Sequence, residues 1–250
     1  MLKVSFLATF VKNLTMKKAI LASTSTLHGQ DYLEYLIPHL NNLYGEQKEI
    51  LFIPYARPGG ISHDEYTAKA KEAFKKANLN IKGIHEFENP IEAVEKAEGI
   101  FTGGGNTFLL VSELYRNGIV EILQQVIAGG TPYMGTSAGT NIGGLTMGTT
   151  NDMPIVLPKS FKTLGLVPFN INPHYLDPDV NSTHKGETRE TRIKEFHHFN
   201  SQPVVGLREG SWLALDKNEI ILRGELSARI FKTNQEPYEV ETGTILTALN

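Results

Sequence analysis

The segment Gly135-Thr136-Ser137-Ala138-Gly139 follows a short apolar stretch and precedes a helix-forming one. A serine between two small residues, on a sharp strand-to-helix turn, is the setting that lifts a hydroxyl clear of a sheet and makes it a nucleophile. The competing reading is a glycine-rich helix start that binds a phosphate. A second cluster, Gly103-Gly104-Gly105-Asn106-Thr107, also follows a predicted strand and opens a helix. Acyl transfer needs two N–H donors where the tetrahedral oxyanion forms. The amide of Ala138, next after the nucleophile, suits one, and that of Gly104 or Gly105 the other. The triple glycine lacks the G-x-G-x-x-G spacing of a dinucleotide loop.

A serine nucleophile requires a base, and the base an orienting carboxylate. Of 8 histidines, His174 stands out in Asn172-Pro173-His174, because proline restricts the backbone ahead of it. His197 and His198 fall at a polar helix end and read as solvated. His174 with His184 lacks the carboxylates a metal site would want, so no metal and no cofactor is expected. Two carboxylates are candidates for orienting the base: Asp152 in Asn151-Asp152-Met153-Pro154 and Glu209 in Arg208-Glu209-Gly210. Spacing leaves both open, since triads occur in several chain orders.

The elements that must hold these residues are legible from hydrophobic runs. Buried strands are predicted at 18–23, 49–54, 80–87, 98–102 and 131–134 and helices at 31–43, 62–77, 91–97, 107–117, 119–128 and from Ala138 onward. Ser62 and Glu65 form a capping-box pattern. Strands alternating with helices predict an α/β fold with a mostly parallel sheet flanked by helices. Four short strands, 204–207, 211–215, 219–222 and 228–232, predict C-terminal β-hairpins.

The bulk numbers are compatible with one large domain: 250 residues, 40% hydrophobic, 20% charged and a net charge of -3. With no basic stripe, nucleic acid is not expected as a partner. The chain has no cysteine, which excludes a disulfide scaffold, a zinc–thiolate site and a cysteine nucleophile, and suits a cytoplasmic location. The apolar run from Val4 to Val11 is too short to span a bilayer and lacks a signal-peptide cleavage site, so no membrane association is expected. Residues 1–15 are read as an N-terminal extension and 16–250 as a single hydrolytic domain.

The segments STSTLHG (23–29), GGGNTF (103–108), GTSAGTN (135–141), TTNDMPIV (149–156), INPHY (171–175), HKGETRETRI (184–193) and GLREGSW (206–212) together resemble the α-aspartyl dipeptidases, the peptidase E group of serine peptidases. The resemblance runs from about Met16 to near the end. It implies hydrolysis of dipeptides that begin with aspartate, without a metal, on a flavodoxin-like fold of the class I glutamine amidotransferase type, with serine in place of cysteine. It carries the nucleophile to Ser137, the base to His174, the acidic member to Asp152 or Glu209, and the oxyanion donors to Gly105 and Ala138. The chain departs from the family at Thr136, where a bulky aromatic is frequent.

A substrate aspartate needs a cation of fixed geometry, and arginine meets a carboxylate bidentately. Arg189 is the candidate, with Arg192 nearby as the alternative and Asn106 as a further substrate-binding residue. A free substrate amine needs an acidic or carbonyl partner: Glu187, or whichever carboxylate the triad leaves unused. The partners expected are therefore small peptides, with a homo-oligomer left open. Rival readings are a cyanophycinase-like hydrolase of β-aspartyl peptides and a non-catalytic binding protein on the same scaffold. A glutamine amidotransferase is excluded by the absence of cysteine.

Overall fold

The computed structural model describes residues 17–46, 49–178 and 186–249. The extension expected at 1–15 and His184 lie outside them. Eleven strands are assigned among these residues: β1 (Ala19–Ala22), β2 (Glu49–Ile53), β3 (Asn80–Gly83), β4 (Ile100–Thr102), β5 (Tyr133–Thr136), β6 (Asn170–Pro173), β7 (Val204–Leu207), β8 (Trp212–Asp216), β9 (Glu219–Arg223), β10 (Ala228–Phe231) and β11 (Tyr238–Val240). The α-helices are α1 (Ile37–Tyr44), α2 (His63–Lys75), α3 (Pro90–Glu95), α4 (Thr107–Arg116), α5 (Val120–Ala128), α6 (Ala138–Asn141) and α7 (Arg189–Phe196).

The larger sheet has the order β3-β2-β4-β5-β1-β8-β9. Its first five strands are parallel, and β8 and β9 close the edge antiparallel. Successive residues of its strands face opposite cores. Leu21, Leu51, Ile53 and Tyr133 join the cluster under α3 to α6, while Ile20, Phe52, Phe101 and Met134 join the one under α1 and α2. That two-sided burial is why these strands read as continuous apolar runs rather than as alternation. Each such fully buried side chain contributes about 1.5–3 kcal/mol relative to exposure.

A smaller sheet, β11-β10-β7-β6, shares the first of these cores through Val205, Leu207, Ala228 and Ile230. Its β6 and β7 run parallel. This corrects part of the hairpin expectation. Strand β7 does not pair with β8 but leaves for the second sheet, whereas β8–β9 is a hairpin whose turn residues Lys217 and Asn218 have φ of 49° and 66°, both left-handed as a type I′ turn requires. Two strands, β6 and β11, were not predicted as strands. The predicted strand at 80–87 stops at Gly83 and gives way to a 3-10 turn at Ile84–Glu86. The helix expected from Ala138 is a single turn, and the one expected from Asp31 begins as a 3-10 turn at Glu34–Leu36. The capping box is present: the Glu65 amide donates to Ser62 Oγ at 3.1 Å and the Ser62 amide to Glu65 Oε2 at 2.7 Å. It fixes the start of α2, which turns Tyr66 and Phe74 inward.

Candidate active site

Strands β4 and β5 are neighbours in register, Thr102 opposite Gly135. The loops leaving their carboxyl ends therefore meet, and they are the two glycine clusters. Ser137 stands on the turn after β5 with φ 54° and ψ -111°, a strained conformation for a residue with a side chain. The turn closes because the Gly139 carbonyl oxygen would lie 2.3 Å from a Cβ on Gly135, and the Thr102 carbonyl oxygen 2.2 Å from one on Gly139; only glycine permits either approach. The Ser137 amide donates to the Ala22 carbonyl at 3.1 Å, and Thr140 Oγ1 donates to the Ala22 and Gly135 carbonyls at 2.6 and 2.8 Å.

His174 follows β6, also at positive φ, 53°. Its Nε2 is 2.9 Å from Ser137 Oγ and its Nδ1 is 2.5 Å from Glu209 Oε1. Serine, imidazole and carboxylate thus form one hydrogen-bonded line. The base strand is held by its neighbours' amides and hydroxyls. Asn141 Nδ2 and Thr149 Oγ1 donate to the Ile171 carbonyl at 2.8 and 2.9 Å, and Asn151 Nδ2 to the Pro173 carbonyl at 2.7 Å.

Ser23, at the end of β1, ties the two sheets together. Its buried hydroxyl accepts from the His174 amide at 2.8 Å and donates to the Leu207 carbonyl at 2.7 Å. Glu209 is itself 48% exposed, but its neighbour Arg208 is anchored. Arg208 donates bidentately to Asp177, at 2.8 and 2.7 Å, and also reaches the Ser227 carbonyl and Glu239. The turn that carries Glu209 is therefore fixed even though the carboxylate meets solvent.

Asp152 lies elsewhere. It makes no hydrogen bond to His174; its Oδ2 accepts from the Thr107 amide and Thr107 Oγ1, each at 2.7 Å, and from Thr150 Oγ1 at 3.0 Å. The carboxylate sits at the positive end of α4, where both the helix dipole and the unpaired amide favour it.

In the other glycine loop, the Gly104 amide is already committed, donating to the buried Tyr66 hydroxyl at 3.0 Å. Gly105 has φ 146° and would place a Cβ 2.2 Å from the Ala56 carbonyl oxygen. Its amide and that of Ala138 donate to no acceptor among the described residues, as an oxyanion site requires. Asn106 caps α4, accepting from the Leu109 amide, and its Nδ2 donates to the Met153 carbonyl at 2.9 Å.

Arg189 opens α7 after its cap, Thr188. Burial pushes the Arg189 guanidinium below its ordinary pKa, as does Arg192, while Asp152 opposes both. No hydrogen bond or ion pair reaches it from the described residues. Glu187 instead pairs with Arg192 at 3.8 Å on the surface. His197, at the end of α7, bonds through Nε2 to the Gln202 carbonyl at 3.1 Å. Among the described residues no group of three His, Asp or Glu side chains is disposed to hold a metal ion, and no helix is long and apolar enough to cross a membrane.

Sequence reasoning missed Ser23, Tyr66, Asn141, Thr149 and Arg208 as supports of the site. Ser23 carried a readable signal, a hydroxyl ending an apolar strand. Tyr66 did not, since an aromatic on a helix's apolar face reads as core.

Residues 19–223 match the model of peptidase family S51. A protein of Streptomyces coelicolor named "Peptidase E" is 48% identical over 230 residues, covering 92% of this chain and 93% of its own. A Drosophila melanogaster protein named "Probable alpha-aspartyl dipeptidase" is 43% identical over 221 residues, covering 87% and 91%. In three dimensions, the crystal structure of a peptidase from an acI-B1 actinobacterium superposes with a TM-score of 0.67 at 16% identity, covering 93% of this chain and 97% of the other; this similarity concerns the fold and agrees with the mostly parallel, helix-flanked sheet expected from sequence. The chain belongs to peptidase family S51 and is a serine peptidase.

Proposed function

We propose that this peptidase hydrolyses dipeptides with an N-terminal aspartate, with Ser137 as nucleophile, His174 as general base and Glu209 as the carboxylate that orients it. The observation that carries the assignment of roles is the line Ser137 Oγ–His174 Nε2, His174 Nδ1–Glu209 Oε1, at 2.9 and 2.5 Å. Ser137 Oγ attacks the carbonyl carbon of the aspartyl residue, and His174 Nε2 takes its proton. Negative charge on the carbonyl oxygen is met by the amides of Gly105 and Ala138. The imidazolium, held by Glu209, returns the proton to the leaving amine, and water then attacks the acyl-enzyme with His174 again as base. Arg189, partly buried and with no bonded anion among the described residues, receives the aspartyl carboxylate. The names of the Streptomyces and Drosophila relatives support both the dipeptidase reading and the aspartyl preference. The cysteine-free composition supports a cytoplasmic location.

The test is hydrolysis of Asp-Leu, Glu-Leu, Asn-Leu and Ala-Leu by the wild-type and Ser137→Ala chains. Selective cleavage of Asp-Leu, reduced by several orders of magnitude in the variant, is expected. Unchanged turnover in Ser137→Ala would remove the nucleophile. Cleavage of β-Asp-Arg with none of the α-linked substrates would favour the cyanophycinase-like alternative.

A further inference from the structure

A dipeptidase must recognise a free α-amine as well as the residue that bears it, and the line of Ser137, His174 and Glu209 leaves one carboxylate unused. Asp152 is held by three hydrogen bonds, all of them on Oδ2. Among the described residues, no donor reaches its Oδ1. Its anchor, Thr107, begins two residues beyond Gly105, so the carboxylate borders the loop assigned to the oxyanion.

Asp152 also lies near enough to the Arg189 guanidinium for its field to be felt there, yet the two form no ion pair. An acidic and a basic side chain that do not neutralise each other can each take the opposite charge of a zwitterionic ligand. The α-ammonium and β-carboxylate of an N-terminal aspartate are such a pair of charges, a few bonds apart. Glu187, the other acidic candidate, is turned to the surface and paired with Arg192.

We infer that Asp152 Oδ1 binds the α-ammonium of the substrate's N-terminal residue, opposite Arg189. This rests on the aspartyl dipeptidase reading and adds the group that makes the enzyme an exopeptidase. Protein already holds Asp152 Oδ2, so binding would use a charge whose orientation is fixed before substrate arrives.

The probe is N-succinyl-leucine, which is Asp-Leu without its α-amine and keeps the carboxylate and the scissile bond. The readout is the ratio of kcat/KM for Asp-Leu to kcat/KM for N-succinyl-leucine. Asp152→Asn keeps an acceptor for the Thr107 amide and removes the charge. A charge-assisted hydrogen bond lost at this point lowers the ratio by about 10- to 100-fold, chiefly through KM for Asp-Leu. An equal fall on both substrates would mean that Asp152 only holds the loop, and would overturn the inference, as would an unchanged ratio. Loss of the discrimination in Glu187→Gln instead would overturn it too.

If Asp152→Asn does not fold, calorimetric binding to the Ser137→Ala chain tests the same point with Asp152 intact. Asp-Leu must bind at least about tenfold more tightly than N-succinyl-leucine, and equal affinities would overturn the inference. Failure of the wild-type chain to cleave Asp-Leu at all would overturn the aspartyl reading and this inference with it. The substrate-ratio outcomes bear on this inference alone.

Discussion

Replacing Glu209 by Gln keeps the side chain's length and one oxygen while removing the charge behind the imidazole. As His174 takes the serine proton it becomes a cation 2.5 Å from Glu209 Oε1. An opposed charge at about 4 Å is worth roughly 1 kcal/mol in water and about 4 kcal/mol at the effective dielectric of a protein surface. Glu209 is 48% exposed and His174 34%, so solvent screening takes part of the upper figure. The amide adds a second cost, because its NH2 can face Nδ1 and stabilise the wrong tautomer. Together these come to about 2–4 kcal/mol, a fall in kcat of roughly 30- to 1000-fold at 1.36 kcal/mol per decade. KM should move little, since the interaction strengthens only in the transition state. Steady-state kinetics on Asp-Leu would measure it, with circular dichroism to verify the fold. A Glu209→Gln chain within about threefold of wild type, or a larger loss of kcat in Asp152→Asn at unchanged KM, would refute the assignment of Glu209 and return the orienting role to Asp152.

Ser137→Gly should be inactive yet more stable than wild type. Removing the side chain relieves the positive-φ strain, about 1–3 kcal/mol, at an entropic cost of about 0.5–1 kcal/mol. A rise of about 2–4 °C in Tm by calorimetry is expected, and a fall would mean that the turn is unstrained. Tyr66→Phe leaves the buried Gly104 amide without its acceptor, at a cost of about 1–3 kcal/mol. Where that loosens the oxyanion loop, kcat falls about tenfold with KM nearly constant, and an equal change in both would argue for mere destabilisation. Glu239 also has a sign that can be checked. Burial raises its pKa, but hydrogen bonds from Arg208, Ser227 and Arg229 outweigh this and hold it down to about 2. A carboxylate depressed on folding stabilises above its unfolded pKa, about 4.3, and loses that contribution as pH falls toward 2. Urea unfolding of Glu239→Gln should therefore show a shallower decline in stability between about pH 4 and 2 than wild type; parallel curves would refute the account.

The parallel sheet was legible because its strands are buried on both faces and so appear as uninterrupted apolar runs, as in Ala19–Ala22 and Ile50–Ile53. The nucleophile was legible for a steric reason: Gly135 and Gly139 are dictated by backbone atoms within van der Waals range, so the demand falls on residue identity. The choice between Asp152 and Glu209 was not, since it depends on where two distant turns meet after the sheets pack. Strand β6 escaped notice because Asn170 and Asn172, polar in sequence but buried, spend their amides on neighbouring oxygens, Asn170 on Thr146 and Asn172 on Thr149 and Asn151. The departure of β7 from β8 was equally hidden, for a four-residue strand carries no record of which edge it joins.

The nucleophile follows a strand of one sheet, its base follows a strand of the other, and the carboxylate stands on the turn from β7 to β8 that joins them. The contact between Ser137 and His174 is therefore a joint between two sheets that share one core, pinned by Ser23 and by the Asn141 amide on the Ile171 carbonyl. A relative slip of about 1 Å would leave both sheets intact and that hydrogen bond broken. Turnover thus reports the registry of the sheets rather than their integrity. On heating, activity is expected to fall before the far-ultraviolet spectrum changes, which parallel activity and circular dichroism melts would check.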